Sequence, residues 1–312
     1  MDAATPTSTH TYEDDPRNAS ILISVNGVLK HRADAMVSVL DSGFVLGDGV
    51  WEGLRLHNGK LAFLQAHLDR LYEGAKAIDL DIGLTRDELA AAIYRTTETN
   101  GMTGPKGSGI HIRLMVTRGL KATPYQDPRV TIGPPTIVII PEWKSPKPEV
   151  ADRGVTLFTT HVRRGSPDVQ DPKWNSHSKL NCIAACIQAA KAGADEALML
   201  DPQGFVATCN STHFFIVRDG EVWTSTGDYC LLGITRENVL RLCRENGITA
   251  REKNFSLTQV YSADEAFVTG TFAGLVPAIS ADGRTIGSGR LGPVTKRLRT
   301  LYAGLMDREC PV

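Results

Sequence analysis

Within residues 66–78 the apolar positions Leu68, Leu71, Ala75 and Ile78 recur at helical spacing, which predicts an amphipathic helix. The run Thr85-Arg-Asp-Glu88 is a capping box that opens a second helix, and Gly101 stands beyond it. Ile110, Ile112, Leu114 and Val116 alternate with His111, Arg113 and Met115, the period of a strand with one polar-bearing face. Further strands are predicted over residues 21–28, 50–56 and the wholly apolar 136–140, with turn pairs at Asn26-Gly27 and Asn58-Gly59. Residues 141–154 hold three prolines in a polar stretch, which disfavours regular structure and suggests an interdomain linker. Beyond it, strands over 155–160, 197–200, 214–217 and 266–269 mix with helices over 180–192, 236–246 and 294–306. Residues 1–19 are polar and aperiodic and read as a flexible arm. No internal repeat is visible. The pattern is α+β, with a small domain over 20–143, a linker over 144–154 and a larger domain over 155–312.

Composition narrows the function classes. The chain has 312 residues, 42% hydrophobic and 22% charged, enough for two domains with cores of their own. A net charge of -1 offers no basic stripe to nucleic acid. No apolar run reaches membrane-spanning length, and the first residues lack a basic-then-apolar signal pattern, so a cytoplasmic protein is expected. Cys182 and Cys186 stand four apart, on one face of a predicted helix. No second pair at zinc-site spacing accompanies them, so no metal is expected. Disulfides are not expected in a reducing compartment.

Four segments carry candidate chemistry. Ser176-His-Ser-Lys179-Leu-Asn181 places a lysine just before an alanine-rich helix. A buried lysine loses pKa and can act as a Schiff-base nucleophile, although a solvated helix-end lysine reads the same way from this segment alone. Leu232-Gly-Ile-Thr-Arg236 opens a helix. Its free N–H groups and the Thr235 hydroxyl suit a phosphate, with simple capping as the plainer reading. Thr269-Gly-Thr-Phe-Ala273 gives another hydroxyl-bearing small-residue turn after a strand. Arg70, in His67-Leu-Asp-Arg70-Leu71, could grip a phosphate or form an ordinary surface ion pair.

Taken in order, Gly47-Asp-Gly-Val-Trp-Glu-Gly53, His67-x-x-Arg70-Leu71, Lys179-x-Asn181, Gly233-Ile-Thr-Arg236 and Thr269-Gly-Thr271 resemble the class IV (fold-type IV) pyridoxal-phosphate (PLP) enzymes. These include branched-chain and D-amino-acid aminotransferases and aminodeoxychorismate lyases, and the resemblance spans residues 21 to about 300. It implies two α/β-type domains with the cofactor between them, the larger C-terminal one binding most of it, and a homodimer. It implies that Lys179 bonds the cofactor and moves protons. Arg70, Gly233, Ile234, Thr235 and Thr271 would hold its phosphate. Trp51 takes the position usually filled by Phe or Tyr, at the substrate. Arg113 matches a position facing a substrate carboxylate, where a guanidinium fork gives orientation; an ordinary strand-face arginine is the alternative.

The departures from the pattern matter as much. In Val206-Ala-Thr208-Cys-Asn-Ser-Thr-His213-Phe-Phe215, Thr208 stands where the family carries the glutamate that meets the pyridine nitrogen, and His213 replaces the usual asparagine. A carboxylate keeps that nitrogen protonated, whereas threonine gives only a neutral hydrogen bond. Thr123 and Tyr125 occupy the place of the Arg-x-His pair of D-amino-acid enzymes, which sets the chain apart from a standard D-alanine enzyme and leaves Tyr125 as a substrate-side candidate. Lys121 and Arg118 are alternative anion contacts in the same loop. The resemblance implies an aminotransferase that moves an amino group from an amino acid or amine to a 2-oxo acid. The alternatives are a PLP lyase resembling aminodeoxychorismate lyase and a PLP-binding protein of low activity.

Overall fold

The computed structural model describes residues 9–103 and 109–312. These fall into two compact units. The first unit comprises residues 14–145 with 174–179 and 306–312; the second comprises 146–173 and 180–305 together with the arm residues 9–13.

The first unit is built on a six-stranded sheet of order β2-β1-β6-β5-β3-β4, every neighbouring pair antiparallel. Its strands are β1 (Leu22–Val25), β2 (Val28–His31), β3 (Gly49–His57), β4 (Lys60–Leu61), β5 (Ile110–Thr117) and β6 (Thr136–Trp143). Its helices are α1 (Ser42–Leu46), α2 (Leu64–Ala77) and α3 (Arg86–Thr99). The stretch 21–28, read as strand-like with a turn pair inside it, forms the first strand and the turn of a hairpin that continues to His31. Asn26 and Gly27 both take positive φ (48° and 78°), the twist that a two-residue hairpin turn requires. The capping box at Thr85 and Glu88 forms as expected. The alternation on β5 buries Ile110, Ile112, Leu114 and Val116 against Leu54, Leu68, Leu71, Leu89 and Ile93. Each such side chain contributes about 1.5–3 kcal/mol.

Two glycines of the first motif are required by close approach. A Cβ on Gly49 would lie 2.4 Å from the Val116 carbonyl oxygen on the neighbouring strand. Gly47 caps α1 in the left-handed region at φ 70° and lies against Ser178.

The second unit holds a nine-stranded sheet of order β12-β11-β10-β13-β14-β7-β8-β9, with β15 paired to β14. The strands are β7 (Val155–Thr159), β8 (Glu196–Leu200), β9 (Val206–Cys209), β10 (His213–Arg218), β11 (Glu221–Thr224), β12 (Ala250–Glu252), β13 (Glu265–Gly270), β14 (Gly274–Ala281) and β15 (Arg284–Thr285). The helices are α4 (Pro148–Arg153), α5 (Pro167–Gln170), α6 (Leu180–Lys191), α7 (Ile234–Glu245) and α8 (Leu257–Tyr261), and α9 (Pro293–Glu309) closes the chain. The core gathers Val155, Leu157, Leu198, Phe214, Ile216, Phe255 and Val268.

Two sequence expectations need correction. Residues 148–153 are helical because Pro148 stands at the first helical position, where its missing N–H costs nothing. Of the arm, residues 1–8 lie outside the described residues, but the rest is tied down. Tyr12 bridges to Pro146, Lys147 N–H donates to the Thr11 carbonyl, the Thr9 hydroxyl donates to Glu196, and residues 16–20 form a 3-10 turn capped by Asp15.

Candidate active site

In the first unit, residues 175–177 run extended along the Gly49–Trp51 end of β3. Trp51 N–H donates to the Asn175 carbonyl (2.9 Å) and His177 N–H to the Gly49 carbonyl (2.9 Å). The Trp51 indole N–H donates to the Ser176 carbonyl (3.1 Å), and the His177 Nε2 lies 3.0 Å from the Val50 carbonyl. The peptide that carries Lys179 is therefore held as a short added strand. The Lys179 ammonium lies 3.1 Å from Asn175 Oδ1 and 5.4 Å from the centre of the Trp51 ring. Arg113 of β5 stacks on that same ring at 3.7 Å, within cation–π range. Burial lowers the pKa of both the Arg113 guanidinium and the His177 imidazole. Lys179, Trp51 and Arg113 thus come together within one unit.

Beside them, Arg70 of α2 does not behave as a surface ion pair. Its Nε and Nη2 fork onto the Glu52 carboxylate (2.8 and 2.7 Å), and His67 Nδ1 meets the same carboxylate at 2.7 Å. Glu52 is fully buried. Burial alone would push its carboxyl up, but the Arg70 charge and the bonds from His67 and Arg70 outweigh it and hold the pKa at about 2.

The second unit places the other candidates. The α7 N-terminus begins at Gly233, which provides no side-chain cap, so the first N–H groups of the helix are left without one beside a buried Thr235. Thr271 sits half-buried in the turn joining β13 and β14. Among the described residues, the buried polar atoms of this unit without a hydrogen-bond partner include His213 Nδ1, Asn238 Nδ2 and Thr269 Oγ1. His213 and Thr269 are cross-strand partners, and Asn238 lies in the first turns of α7. An acceptor-rich group such as a phosphate suits these donors, since orphaned buried polar atoms are rare in folded chains. The residues present therefore fit the cofactor that the sequence resemblance implies.

His213 is buried, and burial together with the Arg236 charge pushes its pKa well down. Arg236 Nε donates to its Nε2 (3.0 Å), so the neutral ring keeps its proton on Nδ1. Thr208 donates its hydroxyl to the Thr212 carbonyl at 2.9 Å. The two acids that could replace a glutamate there have other partners. Glu196 accepts from the Thr212 and Thr9 hydroxyls, and Asp201 accepts from the Gln203 and Phe205 N–H groups.

Other candidates are placed differently. Tyr125 is 56% exposed and is not among the residues gathered on Trp51. Arg118 forks onto Asp48 (2.7 and 3.0 Å), and Lys121 is wholly buried with its ammonium on the Asp127 carbonyl (3.2 Å), so neither presents itself to an anion. Cys182 takes a bond from Arg164 and Cys186 is exposed; among the described residues no group of three potential metal ligands forms. Sequence reasoning missed Asn175, which stands four residues before Lys179. It also missed the Glu52 charge knot, whose signal was an acid inside an apolar strand.

The comparisons with known proteins follow from this chemistry. The family described as Amino-transferase class IV matches residues 49–281. Branched-chain-amino-acid aminotransferase-like protein 2 of Arabidopsis thaliana is 42% identical over 94% of this chain, which spans about half (51%) of that relative's length. A putative branched-chain-amino-acid aminotransferase of Methanocaldococcus jannaschii is 40% identical over 92% of this chain and 96% of its own. The T.th. branched-chain amino acid aminotransferase, solved with pyridoxamine 5'-phosphate, superposes with a TM-score of 0.86 at 31% identity, covering 94% of this chain and 96% of its own.

Proposed function

Because the chain belongs to the class IV aminotransferase family, with the fold-type IV architecture, we propose that it is a PLP-dependent aminotransferase that moves an amino group from an amino acid or amine to a 2-oxo acid. The observation that carries this reading is the gathering of Lys179 and Arg113 on Trp51, with the lysine-bearing peptide pinned to β3. The cofactor, when bound, supplies an aldehyde for covalent attachment and a ring that withdraws electrons from the bond to be broken. Lys179 would hold the cofactor covalently, and its Nζ, when free, would take up and return a proton. Arg113 orients the substrate carboxylate and Trp51 supplies a flat apolar wall. Gly233, Ile234, Thr235 and Thr271 hold the phosphate with backbone N–H groups and hydroxyls, and Arg70 adds charge. Thr208 would offer the ring nitrogen a neutral hydroxyl in place of a carboxylate.

The same reading places the enzyme in the cytoplasm, as six free cysteines suit a reducing compartment. It also makes the enzyme a homodimer. The segment around α1 in the first unit leaves Met36, Val39 and Phe44 about 70% exposed, and α6 in the second unit leaves Leu180, Ile183 and Ile187 exposed, apolar surface that a second copy would cover.

The test is spectroscopic. Loaded protein is mixed with a panel of amino donors and then with a 2-oxo acid. A pyridoxamine spectrum that reverts on adding the acceptor is expected; a carbon–carbon or elimination product without that cycle would overturn transamination in favour of a lyase.

A further inference from the structure

Asn175 is buried, at 4% exposure, and both ends of its amide are engaged. Its Nδ2 donates to the Trp51 carbonyl at 2.6 Å, and its Oδ1 accepts from Lys179 Nζ at 3.1 Å. A carbonyl can only accept, so the Trp51 oxygen dictates which amide end faces it and turns Oδ1 toward the lysine. Its own carbonyl is also fixed, by Trp51 N–H. Gly74 in α2 has only Val50 Cγ1 (3.3 Å) and Asn175 N (4.0 Å) within reach of a Cβ, so the helix itself packs against this peptide. Asn175 is thus buried and held at both ends of its amide, and it contacts the most flexible of the gathered groups.

We propose that Asn175 is a positioning residue for Lys179, a fixed acceptor that takes one N–H of the ε-amine and sets where the nitrogen's remaining valence points. Lysine has four side-chain torsions and about 2 kcal/mol of rotamer entropy to lose. One anchored N–H removes much of that freedom before any chemistry. A neutral acceptor also tolerates both states the amine must visit: the amine accepts a proton at its lone pair, and the resulting ammonium can give it back. An aspartate in the same place would trap the charged state. This rests on the reading above that Lys179 is the cofactor lysine.

The charged and titratable groups at this corner include His177 on the same peptide, Arg113 of β5, stacked on the Trp51 ring, and Asp41, whose charge acts on His177. Asn175→Ala and Asn175→Asp both lose the Nδ2 bond to the Trp51 carbonyl, so the opposite shifts expected of the two variants are what report on the acceptor at 175. The experiment uses the full chain freed of cofactor. Labelling of Lys179 by an amine-reactive reagent is followed against pH by peptide mass spectrometry in the natural protein and in the Asn175→Ala and Asn175→Asp variants. A hydrogen bond to a charged group stabilises it, so Asn175→Ala should lower the apparent pKa of Lys179 by about one unit and Asn175→Asp should raise it. Thermal melts identify a variant that fails to fold, and the other variant then carries the test. Lys179 titrating at the same pH in every folded variant would overturn the inference. Borohydride trapping of the loaded natural protein separates it from the functional reading. Label on a lysine other than Lys179 sinks that reading, whereas unchanged titration with label on Lys179 sinks only the role of Asn175.

Discussion

Glu52→Gln tests the charge knot most directly. The change keeps side-chain volume and one acceptor oxygen but removes the negative charge shared by Arg70 and His67 at a fully buried position. Two routes give its size. The carboxyl is held at about 2 against an ordinary 4.5, a gap worth about 3.4 kcal/mol at ~1.36 kcal/mol per unit. Stripping one partner from a buried ion pair costs about 3–5 kcal/mol. The Arg70 side chain is 14% exposed and can partly rehydrate, which favours the lower figure. A loss of about 3 kcal/mol at neutral pH is therefore expected from urea unfolding. The sign with pH follows from the depressed value. The stabilisation is complete above 4.5 and is lost as pH falls toward about 2. The gap between natural protein and variant should therefore narrow by about 2 kcal/mol by roughly pH 3. A loss under about 1 kcal/mol at neutral pH, or a gap that stays flat on acidification, would refute the reasoning.

Arg70→Ala should weaken PLP binding by about tenfold to a hundredfold, measured by equilibrium dialysis, since it removes a contact worth about 1.5–3 kcal/mol; unchanged affinity would place Arg70 outside the site. Thr208→Glu should shift the absorption of the bound cofactor and move its titration upward, because a carboxylate favours a protonated ring nitrogen. An unaltered spectrum would separate Thr208 from the ring. Light scattering of the purified chain should give the mass of two copies; a fully active monomer would overturn the dimer.

Periodicity made most of the regular elements legible. The alternation on β5, the capping box of α3 and the apolar face of α2 each follow from local residue order, and the structure forms them within a few residues of the expected bounds. What periodicity could not show was pairing between distant segments. Nothing local in Trp174–Lys179 says that it belongs with residues 14–145, because its bonds go to β3, more than 120 positions earlier. The same holds for the arm. Residues 9–12 look polar and loose, yet they are tied through Glu196, Pro146 and Lys147, each supplied from far along the chain. The motif residues were legible because glycines and helix starts leave local signatures. Glu52 and Asn175 were not, because a buried polar residue is identified by its partners.

Thr208 shows how a hydrogen-bond inventory sharpens a sequence argument. A neutral hydroxyl in place of a glutamate suggests a ring nitrogen without a proton. The Thr208 proton, however, is already given to the Thr212 carbonyl. A hydroxyl so engaged has only lone pairs left to offer, and lone pairs can receive a bond from a protonated nitrogen but not give one to a bare nitrogen. To face an unprotonated ring, Thr208 must leave the Thr212 carbonyl, which keeps the bond it accepts from Cys209 N–H (3.1 Å), so the cost is that of one net hydrogen bond, about 0.5–1.5 kcal/mol. Glu196 cannot remove the conflict by moving closer, because it holds the Thr212 hydroxyl and the arm at Thr9. On the proposed reading, with Thr208 at the ring nitrogen, the protonation state of the ring would follow from whether the Thr208–Thr212 bond survives loading. A Thr208→Val variant, which can neither give nor receive, separates the cases. If the bond persists and Thr208 accepts from the ring, valine should lower the titration of the bound cofactor; if Thr208 turns to donate to a bare nitrogen, valine should raise it.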